Sequence, residues 1–527
     1  MRLIYCCCVV LLLILFSEGS HGGKIVVFPV DGSHWVNMEV LLQALHSRGH
    51  NITVVRNSKS WYIKENSTYY NSITVPVERG IDKEFITNMT SSVLEFERGA
   101  LPLTSFLYMV IGMIPKIIEV HKVFNDFVLA MFNDPDFLKM LKYSNFDLVL
   151  TDPSWGGGAI FAKYLNLPLV YNVRWILAKE AHFSLAPSPV SHIPITGTGY
   201  TDKMTFLQRV KNMMFYLLAQ IHYYLMITQT YQQLCEKTLR PNIDFNELSL
   251  SADLWLMRVD FVFEYPRPTM PNFVYMGGFQ CTPAKPLPQH LEDFVQSSGE
   301  HGVIIMSMGT FVSALPADMT NEIAAAFAKL PQKVIWRHKG DTPANLGNNT
   351  LLVDWMPQND LLGHPKMKLF VAHGGTNGLQ EALYHGVPVV GIPLFFDQYD
   401  NLMRLKERGG AQILTINSVD KDNNFLKAVE EVLNDPSYRM NMQRLSRLHR
   451  DQPMKPLDNA LFWMEFVMRH KGAAHLRTES YRMPWYSYYS VDVGLFLFGV
   501  FLLVLTTVFI LMRCLYRKVC KPKVKQE

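Results

Sequence analysis

Cysteine is scarce and poorly placed for cross-linking. Of seven in 527 residues, Cys6, Cys7 and Cys8 fall near the start and Cys514 and Cys520 near the end, leaving only Cys235 and Cys281 between. That excludes a disulfide scaffold, and no spacing matches a zinc site. Stability must come from apolar cores, for which the chain is long enough to form two or three domains. A dinucleotide fingerprint is also missing. The first strand-like run, residues 24–30, leads into Asp31-Gly32-Ser33-His34-Trp35 and not into G-x-G-x-x-G, so a dehydrogenase is disfavoured. Nor is there a basic surplus outside one short segment. The chain is +4 overall, and residues 513–527 hold six Lys or Arg against Glu527, so everything before them is close to neutral. No nucleic-acid footprint is expected.

Long apolar runs are present at both ends. Residues 3–16 follow Arg2 and precede Ser17, Gly19 and Ser20, which predicts a signal peptide over residues 1–22. Residues 493–512 carry no charge over the length of one bilayer-spanning helix, after an aromatic belt of Trp485, Tyr486, Tyr488 and Tyr489. The basic tail of residues 513–527 then predicts a cytosolic end and a lumenal bulk. Sequons at Asn51, Asn66, Asn88 and Asn348 fall on the lumenal side as candidate glycosylation sites. Two internal runs, residues 101–120 and 213–227, are also apolar. The second contains Gln220 and His222 and follows Lys203, Arg209 and Lys211, which suits a buried or interfacial helix.

The remaining pattern is α/β. Gly277-Gly278 and Pro283, Pro286 and Pro288 mark a junction between two strand-and-helix halves, predicting one domain over residues 23–280 and a second over 281–480. Polar residues collect where predicted strands end, the rim at which open α/β sheets bind ligands. In the first half these are His34, a candidate base near neutral pH, and Asp152, which can orient an imidazole or serve as a turn aspartate. In the second half the run 369–372 meets His373-Gly374-Gly375-Thr376-Asn377-Gly378 before a helical pattern, a place where backbone N–H groups attract an anion. A second run, residues 387–392, ends just before Asp397 and Gln398. Arg258 follows a further strand and can grip a carboxylate or pair with Asp260 or Glu264.

The stretch 355–401, WMPQNDLLGHPKMKLFVAHGGTNGLQEALYHGVPVVGIPLFFDQYDN, resembles the signature of the UDP-glycosyltransferases, specifically the vertebrate UDP-glucuronosyltransferases. The similarity runs from GSHW to the membrane anchor. It implies a GT-B architecture of two Rossmann-like domains facing across a cleft, with a UDP-glucuronate donor as co-substrate and neither metal nor other cofactor. It implies His34 as general base and Asp152 as its partner. Ser307, Thr310, Arg337, Trp355, Gln358, His373, Gly374, Gly375, Asn377, Gly378, Glu381, Asp397 and Gln398 would form the donor site, and Arg258 would read glucuronate. The acceptor would be a lipophilic small molecule bound by the first half. The protein would be a single-pass endoplasmic-reticulum membrane protein, the last five residues serving as a lysine-based retrieval signal, with homo- or hetero-oligomers open. The chain has Phe396 and Tyr399 where the family commonly has alanine and proline, which leaves the sugar choice or acceptor mouth open. Transfer of glucose, xylose or N-acetylglucosamine, and a non-catalytic UDP-sugar or lipid binder, are the alternatives.

Overall fold

The computed structural model describes residues 22–99, 112–174, 181–239, 242–309, 312, 315–419 and 421–520. The expected signal peptide, Thr310, part of the run 101–120 and the last seven residues lie outside these. Two parallel sheets organise the described chain up to Arg477. The first orders its strands β3-β2-β1-β4-β5-β6-β7: β1 Lys24–Phe28, β2 Asn51–Asn57, β3 Asn71–Val75, β4 Leu148–Thr151, β5 Leu169–Val173, β6 Leu254–Met257 and β7 Phe273–Tyr275. The second runs β10-β9-β8-β11-β12-β13: β8 Val303–Ser307, β9 Lys333–Arg337, β10 Thr350–Val353, β11 Met367–Ala372, β12 Val389–Gly391 and β13 Ala411–Ile413. The central strands are continuous Val, Ile and Leu runs buried on both faces, as parallel sheets covered by helices require.

In each sheet the strand order reverses once, between β1 and β4 and between β8 and β11. Crossovers leave the sheet in opposite directions there and open a crevice at the carboxyl ends of the strands. His34 follows β1 in the first turn of α1 (Ser33–Ser47), and Asp152 follows β4. Ser307 ends β8, and His373 follows β11. Both sheets thus present their chemistry at their switch points.

The division near residue 280 separates the two sheets, but one element expected in the second domain belongs to the first. The helix Pro456–His470 sets Ala460, Leu461, Met464 and Val467 into the core formed by Ile25, Leu41, Leu45 and Leu254. The second domain, expected over 281–480, therefore ends before this helix. Its apolar stripe was written in the sequence, but a stripe does not say which sheet it covers. The helix Phe206–His222 is not buried either: Phe206 is 68% and Ile221 55% exposed, and Asn212 alone is buried along it, bonded to Val190, Ile193 and Ile195.

Thr478–Cys520 forms a separate unit. Its helix Val491–Cys520 contains the expected span 493–512, is apolar and has no buried residue. At 1.5 Å per residue, thirty residues reach about 45 Å, enough to cross a bilayer. It fits a single-pass membrane anchor.

Candidate active site

His34 and Asp152 meet. Nδ1 of the imidazole lies 2.6 Å from Asp152 Oδ2, while Asp152 Oδ1 accepts the Ser154 N–H at 2.8 Å. Asp152 is completely buried, and the His34 side chain is 13% exposed. A carboxylate can only accept, so the imidazole donates from Nδ1, and in a neutral ring Nε2 is the nitrogen able to receive a proton. The turn role and the orienting role of Asp152 coexist, one oxygen each.

A cavity of about 260 Å³ opens in front of this pair, and both lobes line it. His34, Arg174 and an apolar wall that includes Ile117, Phe124 and Phe127 come from the first lobe. The second contributes His373, Gly375, Phe396, Asp397 and Gln398. The expected base and the expected donor loop therefore share one space.

The donor loop has the backbone its glycines permit. Gly374 adopts φ +92°, and a Cβ there would stand 2.5 Å from the Gln398 carbonyl oxygen. Gly375 caps the helix Thr376–His385 without any side-chain cap, leaving its first N–H groups to an anion. At Gly378 a Cβ would come within 3.1 Å of Phe370 and 3.2 Å of Gln358, so this helix sits tight on β11. His373 is enclosed and its pKa is pushed down to about 4, chiefly by burial. It is neutral near pH 7, and its Nδ1 has no protein partner. It can bond to a phosphate oxygen but not neutralise one.

Other expected donor residues occupy more specific positions than the sequence implied. Gln358 Nε2 donates to Glu381 Oε2 at 2.6 Å, and burial raises the Glu381 pKa to about 7. Trp355 does not line the cavity; it is 70% exposed in the loop between β10 and Gln358, leaving a ring face open. Ser307 is buried and accepts the Gly309 N–H at 3.3 Å. Arg337 donates to the carbonyls of Asp354, at 3.2 Å, and Gly309, bracing the loop after β8. Asp397 accepts from Asn401, and the Gln398 side-chain Oε1 accepts the Leu394 and Phe395 N–H groups. Phe396 lines the cavity with φ +58°, a strained conformation for an aromatic residue, whereas Tyr399 lies against Gly199.

Arg258 departs most from expectation. It is 5% exposed and does not line the cavity. Its Nη2 donates to Asn377 Oδ1 at 2.7 Å and to Gln380 Oε1 at 2.9 Å, and its Nη1 reaches Thr376 Oγ1 at 3.4 Å. It anchors the helix Thr376–His385 to the first lobe through Nη1 and Nη2, while its Nε is buried without a protein partner and away from the cavity lining. Its alternative partners are taken as well: Asp260 meets His449, and Glu264 meets Arg404 at 2.8 Å. Asn377, its Oδ1 shared by Arg258 and Arg174, is a cross-lobe acceptor.

Two residues at the interface, Arg174 and Asp400, make contacts that the sequence does not assign to them. Arg174 directly follows β5, where the strand-end rule that marks His34 and Asp152 would also have marked it. Asp400 accepts the N–H groups of Gly197 and Gly199 at 2.7 and 2.8 Å, a link that no local pattern announces. The four sequon asparagines, Asn51, Asn66, Asn88 and Asn348, are all exposed. Among the described residues no group of three His, Cys, Asp or Glu side chains is placed to hold a metal.

Comparison with solved structures places the fold. The glycosyltransferase VinC in complex with dTDP matches with a TM-score of 0.55 and 16% identity, over 85% of this chain and 100% of that one. SnogD from Streptomyces nogalater matches with 0.54 and 16%, over the same shares. The architecture is GT-B. Sequence relatives are much nearer. UDP-glucuronosyltransferase 2C1 of Oryctolagus cuniculus is 42% identical over 94% of this chain and 99% of its own length, and UDP-glucuronosyltransferase 1A1 of Mus musculus is 40% identical over 97% and 94%. The family model described as "UDP-glucoronosyl and UDP-glucosyl transferase" matches residues 23–526. With that match spanning both lobes and the anchor helix, the chain belongs to this family of UDP-sugar glycosyltransferases.

Proposed function

We propose that the protein transfers glucuronate from UDP-glucuronate to a hydroxyl, or another nucleophile, of a lipophilic small molecule. The observation that carries this reading is the single cavity onto which the His34–Asp152 pair and the donor loop both open. The acceptor enters the apolar side, against Ile117, Phe124 and Phe127. His34 Nε2 takes its proton as the oxygen attacks the anomeric carbon, and Asp152 stabilises the imidazolium that forms. The carbon–oxygen bond to UDP breaks on the opposite face, with inversion. Negative charge growing on the departing diphosphate meets the uncapped N–H groups after Gly375 and a hydrogen bond from His373. Glu381, held by Gln358, suits the ribose hydroxyls, the open face of Trp355 suits uracil, and Asp397 and Gln398 suit the sugar.

The enzyme works in the lumen of the endoplasmic reticulum, its helix Val491–Cys520 crossing the membrane and its basic tail in the cytosol. The exposed apolar face that runs from Phe206 to Ile221 rests on the membrane surface, which places a lipophilic acceptor close to the cleft. The relatives named as UDP-glucuronosyltransferases favour glucuronate over other sugars. A panel of UDP-glucuronate, UDP-glucose, UDP-xylose and UDP-N-acetylglucosamine, assayed in membranes with phenols, steroids and bile acids, tests it. Glucuronide should form fastest; faster transfer of another sugar would overturn the donor, and no transfer at all would leave a binding protein.

A further inference from the structure

Arg174 stands where the two lobes meet. Its Nη1 donates to the Ser33 carbonyl at 3.1 Å and to Asn37 Oδ1 at 2.7 Å, both on the helix that carries His34. The same nitrogen reaches Asn377 Oδ1 at 3.1 Å, in the first turn of the donor helix. All of its protein hydrogen bonds among the described residues are thus made from one nitrogen to neutral oxygens. Nε and Nη2 lie side by side on the remaining edge of the guanidinium, the fork that matches two carboxylate oxygens. Arg174 lines the cavity, and no carboxylate lies within ion-pair distance of it among the described residues. Burial works against its charge, with Asp397 and Asp152 partly offsetting that from farther away. A half-buried cation that lines a cavity with no carboxylate in contact is completed by an anion arriving with a ligand.

Which anion follows from position. The acceptor oxygen faces His34, and the departing diphosphate faces the start of the helix Thr376–His385. Arg174 is hydrogen-bonded to both elements, so it flanks the group that spans them, the transferred sugar. We propose that Arg174, and not Arg258, reads the carboxylate of the donor sugar and makes the enzyme selective for a uronic acid. This rests on the glucuronate-transfer reading above. Arg258 is a positioning residue, fixing the donor helix whichever sugar is bound.

The test measures kcat/KM for UDP-glucuronate and for UDP-glucose in membranes carrying wild type, R174Q, R174K and R258Q, with UDP-induced thermal stabilisation reporting an intact nucleotide site. Removing one partner of an enclosed charge pair supports a loss on the order of a hundredfold. R174Q should lose about that much with UDP-glucuronate and under about fivefold with UDP-glucose, while UDP still stabilises it. R174K, keeping charge without the fork, should fall between, and R258Q should lower both donors alike. Equal losses in R174Q and R174K, or a UDP-glucuronate-selective loss in R258Q, would overturn the assignment with glycosyl transfer still standing. Wild type that transfers glucose and not glucuronate would overturn the donor reading itself, and the assignment with it.

Discussion

Gln358 and Glu381 are joined by a 2.6 Å hydrogen bond at the edge of the donor site, which stands in for the water that the buried carboxyl has lost. Burial outweighs this help and the nearby Arg258 charge, and the Glu381 pKa rises from 4.5 to about 7. Between those values the folded protein holds a proton that the unfolded chain has released. The group therefore favours the fold at low pH, and this advantage is lost as pH climbs through 7, by about 3 kcal/mol at most. Glu381→Gln should match wild type in thermal stability near pH 5 and exceed it at pH 8. An identical difference at both pH values would contradict this.

His34→Ala removes the imidazole bonded to Asp152, the proposed acceptor of the substrate proton. Turnover should fall on the order of a hundred- to ten-thousandfold, about 3–5 kcal/mol in barrier. UDP-induced stabilisation should stay unchanged, since the loop proposed to hold the nucleotide, between β11 and the helix Thr376–His385, lies on the other lobe. Asp152→Asn, which lets the ring choose the wrong tautomer, should cost at least about tenfold while the protein remains folded. Normal turnover of a phenol by His34→Ala would remove it as base.

Gly374 offers a sharper test of the loop. Alanine there must adopt φ +92° and place its Cβ against the Gln398 carbonyl, a strain on the order of 1–3 kcal/mol. Gly374→Ala should weaken UDP binding by about tenfold or more in titration calorimetry. Unaltered UDP affinity would mean the loop relaxes without consequence.

How much of this was legible in advance differs by residue. Strands of Val, Ile and Leu followed by polar residues announced two α/β sheets and put His34, Asp152 and the Gly374-Gly375 pair at their rims. Arg174 obeyed the same rule and was passed over because nothing beside it completes a motif. Arg258 was visible, but its fate was not: a strand-end arginine reads alike whether it meets a sugar or Gln380, and only the docking of the two lobes decides. Phe396 stood out by its size, while its positive φ could not be inferred from sequence.

The return of the helix Pro456–His470 to the first lobe was equally hidden, and it makes a prediction. Leu461 is 2% exposed in the core beside Ile25 and Leu41. Leu461→Ala should cost about 2–5 kcal/mol. Hydrogen exchange should speed up in β1 and in the helix Ser33–Ser47, and not in β8. Loosening confined to the second sheet would refute the packing.

That helix also means the backbone passes between the lobes twice, once after β7 and again just before residue 456. A body hung from a single cord can swivel in any direction, but one hung from two is held nearly to a door's motion about the line joining them. If the cleft gapes to release UDP, it should do so by rotation about that axis, and each closure would bring the imidazole back over the same carbon.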